Sequence, residues 1–262
     1  MQNYQGYLID LDGTIYHGRQ PIAAAQRFIK RLQANNIPFI FLTNNTTKTP
    51  QQVVDNLDQN HQIQVTADQI ITPSLATANY LREQSSDIRQ KSCFVIGQLG
   101  LQSAIFKTGI QYNEINPDYV VVGLDFDVTY HKFEVATLAI KRGAQFIGTN
   151  SDTNLPNERG LVPGAGSLVS LVATATQQQP VYIGKPESTI ANYALKTTGW
   201  SKKQVAIIGD NYNTDIRCGL NAGIDTILVY TGVSTPEQVA QETSQPTYQI
   251  NSLDEWDVDL KC

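Results

Sequence analysis

The chain has 262 residues, 41% hydrophobic and 16% charged, with a formal net charge of −5. This is an ordinary globular composition, and the lack of a Lys/Arg-rich block argues against a nucleic-acid partner. No apolar run nears the roughly 18 residues of a membrane span, no leader precedes the first strand, and Cys93, Cys218 and Cys262 lack metal or disulfide spacing, so a reduced, cytoplasmic protein is expected.

Residues 7–9 are a short apolar run and read as a buried strand. The strand ends in Asp10-Leu11-Asp12-Gly13-Thr14. Asp10 and Asp12, two apart, project to the same side of a pleated backbone. Like charges that close need a cation or a shared proton. Taken alone, Asp12-Gly13 also reads as the two-residue turn of a hairpin. Residues 14–20 are a short polar excursion. A helix then starts at Pro21 and carries Ile22, Ala25, Phe28, Ile29 and Leu32 on one face. The second strand, residues 38–42, ends in Thr43-Asn44-Asn45. Thr49-Pro50 opens a helix as N-cap and first helical residue, and another helix begins near Pro73.

The middle of the chain repeats the pattern. Strands are expected at residues 92–96, 119–122 and 145–148, and helices at 99–107, 130–142 and 167–176. This block reads as a smaller α/β unit. Residues 149–166 form a long loop, and long loops are often functional. It holds Asn150, Asp152, Asn154, Glu158 and Arg159 and ends in Pro163-Gly164-Ala165-Gly166. No nucleotide-loop spacing is present, so Gly164 and Gly166 read as a turn and helix start. Arg159 reads either as a partner for a substrate carboxylate or as a solvated loop arginine.

The last third returns to strands followed by polar sites. Residues 182–183 lead into Gly184-Lys185-Pro186, and a strand at 205–208 ends in Gly209-Asp210. Helices are expected at 187–197 and 214–221, and a strand at 226–230. Alternating strands and helices predict an α/β fold around a parallel sheet. In such a sheet Asp10/Asp12, Thr43-Asn44-Asn45, Lys185 and Asp210 to Asp215 gather at one edge, where these folds bind ligands. The inventory suits phosphoryl transfer. Carboxylates hold Mg²⁺, and a lysine and a hydroxyl with neighbouring N–H groups hold phosphate. An aspartate is a suitable nucleophile because an aspartyl phosphate is itself labile to water.

Asp10-Leu11-Asp12-Gly13-Thr14 resembles the DxDGT signature of the haloacid dehalogenase superfamily of phosphatases. Thr43, Lys185 and the stretch from Gly209 to Asp215 resemble its second, third and fourth motifs, in order. Leu42-Thr43-Asn44-Asn45, Gly184-Lys185-Pro186 and Thr214-Asp215-Ile216 are similar to the NagD / p-nitrophenyl phosphatase branch. The resemblance implies a Rossmann-like, doubly wound parallel-sheet core from residues 1–78 and 181–262, with an inserted smaller α/β cap domain over 79–180. It assigns Asp10 as nucleophile and metal ligand. Asp12 is the general acid and base and binds Mg²⁺ through its backbone carbonyl. Thr43, Asn44 and Asn45 hold phosphate, Lys185 bridges phosphate and Asp10, Asp210 is the third metal ligand, and Asp215 supports the metal waters or Lys185. In that branch the cap loop reaches over the site, which makes Asn150, Asp152 and Arg159 candidate substrate readers. Vitamin B6 phosphatases of the branch have a histidine where Leu155 stands here, which tells against pyridoxal phosphate.

The expected activity is Mg²⁺-dependent hydrolysis of a small phosphorylated metabolite, a sugar or acid-sugar phosphate. The rivals are a nucleotide or aryl phosphate substrate and a non-catalytic phosphometabolite-binding protein. The family also allows a homodimer through the cap.

Overall fold

A computed structural model describes residues 4–157 and 159–258 of the chain. Glu158 and Cys262, both noted in the sequence, lie outside the described residues. The chain forms two compact units. One comprises Met1–Thr43, Pro50–Ile71 and Lys185–Cys262, the other Asn44–Thr49 and Thr72–Gly184.

The first unit opens with β1 (Gly6–Ile9), buried along its length. A small hairpin follows, β2 (Tyr16–His17) against β3 (Gln20–Pro21). The hairpin therefore turns at Gly18-Arg19, not at Asp12-Gly13. Next comes α1 (Ala23–Ala34), which buries Ala25, Phe28, Ile29 and Leu32 as the periodicity predicts. Pro21 does not open this helix. It pairs with Tyr16 across the hairpin, and Ile22 takes the N-cap position without a side-chain cap. Proline suits an edge strand as well as a first helical turn, so its signal is ambiguous. The unit continues with β4 (Phe39–Leu42), α2 (Pro50–His61) and β5 (Ile70–Ile71).

The second unit contains α3 (Pro73–Glu83), β6 (Ser92–Ile96), α4 (Leu99–Phe106), β7 (Gln111–Tyr112), β8 (Tyr119–Val122), α5 (Tyr130–Lys141) and β9 (Gln145–Gly148). An antiparallel hairpin of β10 (Asn154–Asn157) and β11 (Gly160–Pro163) follows. Then come α6 (Ala165–Thr176) and β12 (Val181–Tyr182). Among the described residues its main sheet is parallel, in the order β12-β9-β8-β6-β7. One face of this sheet packs Phe94, Ile96, Val120, Val122 and Phe146 against α5 and α6. The hairpin replaces much of the loop expected at 149–166, and α6 starts two residues before the expected Ser167.

The chain returns to the first unit for α7 (Ser188–Thr198) and β13 (Val205–Gly209). A π-helical turn, Tyr212–Ile216, runs into α8 (Arg217–Ala222), followed by β14 (Asp225–Val229), α9 (Pro236–Val239) and β15 (Tyr248–Ile250). The described strands of its sheet run parallel in the order β15-β14-β13-β1-β4-β5. Strand alternation divides the apolar side chains between two faces. Tyr7, Ile9, Phe41, Ile208 and Ile227 join Phe28 and Leu32 of α1 and Leu57 of α2 in one core. On the opposite face α8 sits so close that a Cβ on Gly219 would lie 2.4 Å from Ile207 Cγ2. Helices on both faces of a parallel sheet make the doubly wound α/β arrangement. No helix of the described residues is long and apolar enough to cross a membrane.

Candidate active site

Register places the charged residues of the first unit. Ile9 of β1 lies between Ile208 of β13 and Phe41 of β4. Asp10 therefore leaves the sheet level with Gly209 and Leu42, and its N–H donates to the Ile208 carbonyl at 2.9 Å. Asp210 follows one residue later on the neighbouring strand. Lys185, 2% exposed, reaches Asp10 from the last stretch of the chain. Its Nζ lies 2.5 Å from Asp10 Oδ1, 2.6 Å from Asp215 Oδ1 and 2.9 Å from the Leu42 carbonyl. An ammonium has three protons, and three acceptors meet them.

Asp215 reaches inward from the π-helical turn. Its Oδ2 accepts the Asn211 N–H at 3.1 Å, and a Cβ on Gly209 would lie 2.2 Å from the Asp215 Cβ. Only glycine leaves room at that strand end. The sequence suggested an ordinary helix from Thr214; the wider turn is one form that helices take at functional sites.

Asp210 is enclosed just as closely. Its Oδ2 accepts the Val233 N–H at 2.7 Å, its Oδ1 accepts Thr14 Oγ1–H at 3.1 Å, and its carbonyl accepts the Ser234 N–H at 3.1 Å. A Cβ on Gly13, which has φ +96°, or on Gly232 would lie 2.4 or 2.0 Å from Asp210 Oδ2. Thr231 Oγ1 donates to the Gly13 carbonyl at 2.7 Å, and Ser234 Oγ accepts the Tyr212 N–H at 2.7 Å. The segment after β14 is thus part of the site, as is Thr14. The sequence reading quoted Thr14 within its motif without a role of its own and passed over the segment after β14. The signal was there: Thr231-Gly232-Val233-Ser234 is another polar stretch at the end of an apolar strand.

Electrostatics follow from burial. Desolvation alone would lower the Lys185 ammonium, but the charges of Asp10 and Asp215 and its hydrogen bonds to both hold it above the usual lysine range. Burial, then the charge of Asp10, pushes Asp210 up to about 6. Burial and Asp10 likewise raise Asp215, against the pull of Lys185. Oxygens of Asp10, Asp210 and Asp215 all lie within 4.8 Å of one another. Three carboxylates facing one ammonium leave an excess of negative charge in a buried, oxygen-only donor set. That is the chemistry a hard divalent cation such as Mg²⁺ takes.

Asp12 is exposed, and its Oδ1 accepts the Gly18 N–H from the hairpin at 3.4 Å. Thr43 is 7% exposed and its N–H donates to the Ile71 carbonyl. Asn44, Asn150 and Asp152 meet in the second unit. Asn150 Nδ2 donates to the Asn44 carbonyl, and Asn44 Nδ2 donates to Asp152 Oδ2, both at 2.9 Å. Asn45 Oδ1 accepts the N–H and hydroxyl of Thr47 at 2.8 Å. Arg159 is exposed between β10 and β11, with its N–H on Asn157 Oδ1.

Two family models match the chain. One, for haloacid dehalogenase-like hydrolases, covers residues 7–111, and one for HAD-like hydrolases covers 182–256. The chain is 46% identical to 5'-nucleotidase YutF of Bacillus subtilis, over 98% of both chains. It is also 46% identical to an acid sugar phosphatase of Staphylococcus epidermidis, over 97% of this chain and 96% of that one. Among solved structures, a single mutant of a thermostable NPPase from Geobacillus stearothermophilus superposes with a TM-score of 0.92 at 45% identity. The match covers 98% of this chain and all of that one. The non-catalytic alternative gives way to this likeness. The chain belongs to the haloacid dehalogenase-like hydrolases and is a phosphatase, a phosphoric monoester hydrolase of the NagD / p-nitrophenyl phosphatase branch.

Proposed function

We propose that this phosphatase is Mg²⁺-dependent and hydrolyses a small phosphorylated sugar or acid sugar through an aspartyl phosphate on Asp10. One Asp10 carboxylate oxygen attacks phosphorus while Asp12 protonates the leaving alkoxide. Asp12 then takes a proton from water, which attacks the aspartyl phosphate and releases inorganic phosphate and free Asp10. Thr43 and the adjoining Asn44 and Asn45 backbone hold phosphoryl oxygens. Lys185 offsets their charge beside Asp10. Asp10, Asp210 and the Asp12 carbonyl would hold Mg²⁺, which would supply Lewis-acid stabilisation of the developing charge. Asp215 holds Lys185 in place.

The observation that carries this reading is the buried Asp10–Lys185–Asp215 chain with Asp210 alongside it. A binding pocket for phosphate has no need of so many carboxylates unless one attacks and others hold a cation. Equal identity to an acid sugar phosphatase and to a 5'-nucleotidase supports nucleotides as the second reading. Cytoplasmic residence belongs to the same proposal, supported by the free, buried Cys93 and Cys218.

The test is phosphate release from sugar, acid-sugar, nucleotide and aryl esters, with Mg²⁺ and with EDTA. Release should need Mg²⁺ and vanish in Asp10→Asn with the fold retained by circular dichroism. Substantial turnover in that variant would sink the nucleophile assignment. The rank order of kcat/KM separates sugar phosphates from nucleotides.

A further inference from the structure

Asn44 follows Thr43 in the chain and Gly184 precedes Lys185. Both belong to the second unit, where they converge on residues 149–152. The Gly184 N–H donates to the Thr149 carbonyl at 2.7 Å. Asn150, 4% exposed, donates Nδ2 to the Asn44 carbonyl at 2.9 Å, and its Oδ1 accepts the Asp152 N–H at 3.1 Å. Asn44 completes the ring through its own Nδ2 on Asp152 Oδ2. The packing is tight. A Cβ on Gly184 would lie 2.6 Å from the Thr149 carbonyl oxygen, 2.7 Å from Asn44 Oδ1 and 3.1 Å from Asn150 Cβ. The rest of the segment is tied to the same unit, with the Gly100 N–H on the Thr47 carbonyl at 3.2 Å and Ser74 Oγ on the Thr46 carbonyl at 3.4 Å.

We infer that Asn150 is a positioning residue for phosphoryl transfer, setting the Asn44 peptide and through it the Thr43–Asn44 backbone, and not a reader of the leaving group. The inference rests on the reading above that Thr43 and Asn44 hold the phosphoryl oxygens. A peptide unit is planar and trans, so holding the Asn44 carbonyl in one direction fixes the following N–H in the opposite one. Rotation of that unit would be passed to the Thr43–Asn44 peptide beside it. An amide suits the task because it donates at Nδ2 while accepting at Oδ1. Asp152 accepts from the Asn44 side chain, so the pair fixes both its main chain and its side chain.

The test uses full-length Asn150→Asp and Asn150→Ala with Mg²⁺. Asn150→Asp keeps the shape and loses the donor. Inorganic phosphate is the probe, since it has no leaving group to read. Misplacement on the order of 1 Å costs about 100-fold, so kcat should fall about 10- to 100-fold by the same factor for sugar, nucleotide and aryl esters. The inhibition constant for phosphate should rise in both variants. Gly184→Ala, which crowds the same ring, should raise it too. Val172→Ala, a cavity in the core of the second unit, should lower Tm without moving it. A loss confined to KM for one ester, with phosphate inhibition unchanged, overturns the inference. Thr43→Val separates the layers. Unchanged phosphate inhibition there sinks the underlying reading, whereas an effect at Thr43 and none at Asn150 sinks the positioning role alone.

Discussion

Lys185 is the ammonium that the buried Asp10 and Asp215 carboxylates share. Its three protons are matched by Asp10, Asp215 and the Leu42 carbonyl, and it is buried with them. Removing one partner of a buried ion pair costs about 3–5 kcal/mol, because the remaining charge is left uncompensated. Lys185→Ala should therefore abolish turnover and lower unfolding free energy by about that much in EDTA, read from urea denaturation. A variant as stable as the parent would mean that Asp10 and Asp215 do not depend on it. At this scale the sequence was legible where chemistry is written in residue type. Asp10, Lys185, Asp210 and Asp215 stand out as charges at the ends of apolar runs. Thr14 and the Val233 N–H do not. A threonine near a carboxylate is common, and a backbone donor carries no side-chain signature at all. Their contribution exists only once β14 is laid beside β13 and the following segment folds back on Asp210.

At the scale of elements, the hairpin β10–β11 is the main departure from expectation. Its residues are mostly exposed on both strands, so there is no buried face to impose an alternating pattern. Pro156 and two asparagines in β10 further weaken a strand reading. The central parallel strands of both sheets, such as β1, β4, β8 and β13, are buried apolar runs, and these are plain in the sequence. The hairpin presents Arg159 near its turn. If Arg159 pairs with the carboxylate of an acid-sugar phosphate, its loss removes a charge-assisted interaction of about 1.5–3 kcal/mol. Arg159→Ala should then raise KM for acid-sugar phosphates about 10- to 100-fold and leave neutral sugar phosphates unchanged. Equal KM values for both classes would return Arg159 to the solvated role.

At the scale of the molecule, the first unit is assembled from three stretches of chain, and the charged residues of its site come from the first and the last. Asp10 and Thr14 arrive with the first stretch, and Lys185, Asp210 and Asp215 with the last. A cation bound only by the folded site stabilises the whole assembly by linkage, about 2.7 kcal/mol at a hundred times its dissociation constant. Mg²⁺ should therefore raise Tm in a concentration-dependent way, and Asp210→Asn should remove most of that rise. A Tm indifferent to Mg²⁺ in the parent protein would argue against a cation among Asp10, Asp210 and Asp215.

The sequence by itself determined the alternation of strands and helices, the buried faces of the parallel sheets and the order of the four polar motifs. These are properties of local pattern: hydrophobic period, strand-terminal charge, and glycine where backbone or a carboxylate comes close, as at Gly13. The tertiary structure decided what pattern cannot encode. Pro21 joined a strand because Tyr16 was opposite it. Asp210 acquired a clamp because a neighbouring strand delivered Val233 and Gly232. The Asn150 side chain, a candidate substrate contact in the sequence, found its acceptor in the Asn44 carbonyl. In each case the partner lies tens of residues away or across a turn, and a hydrogen bond is settled only when the fold brings donor and acceptor within 3 Å or so.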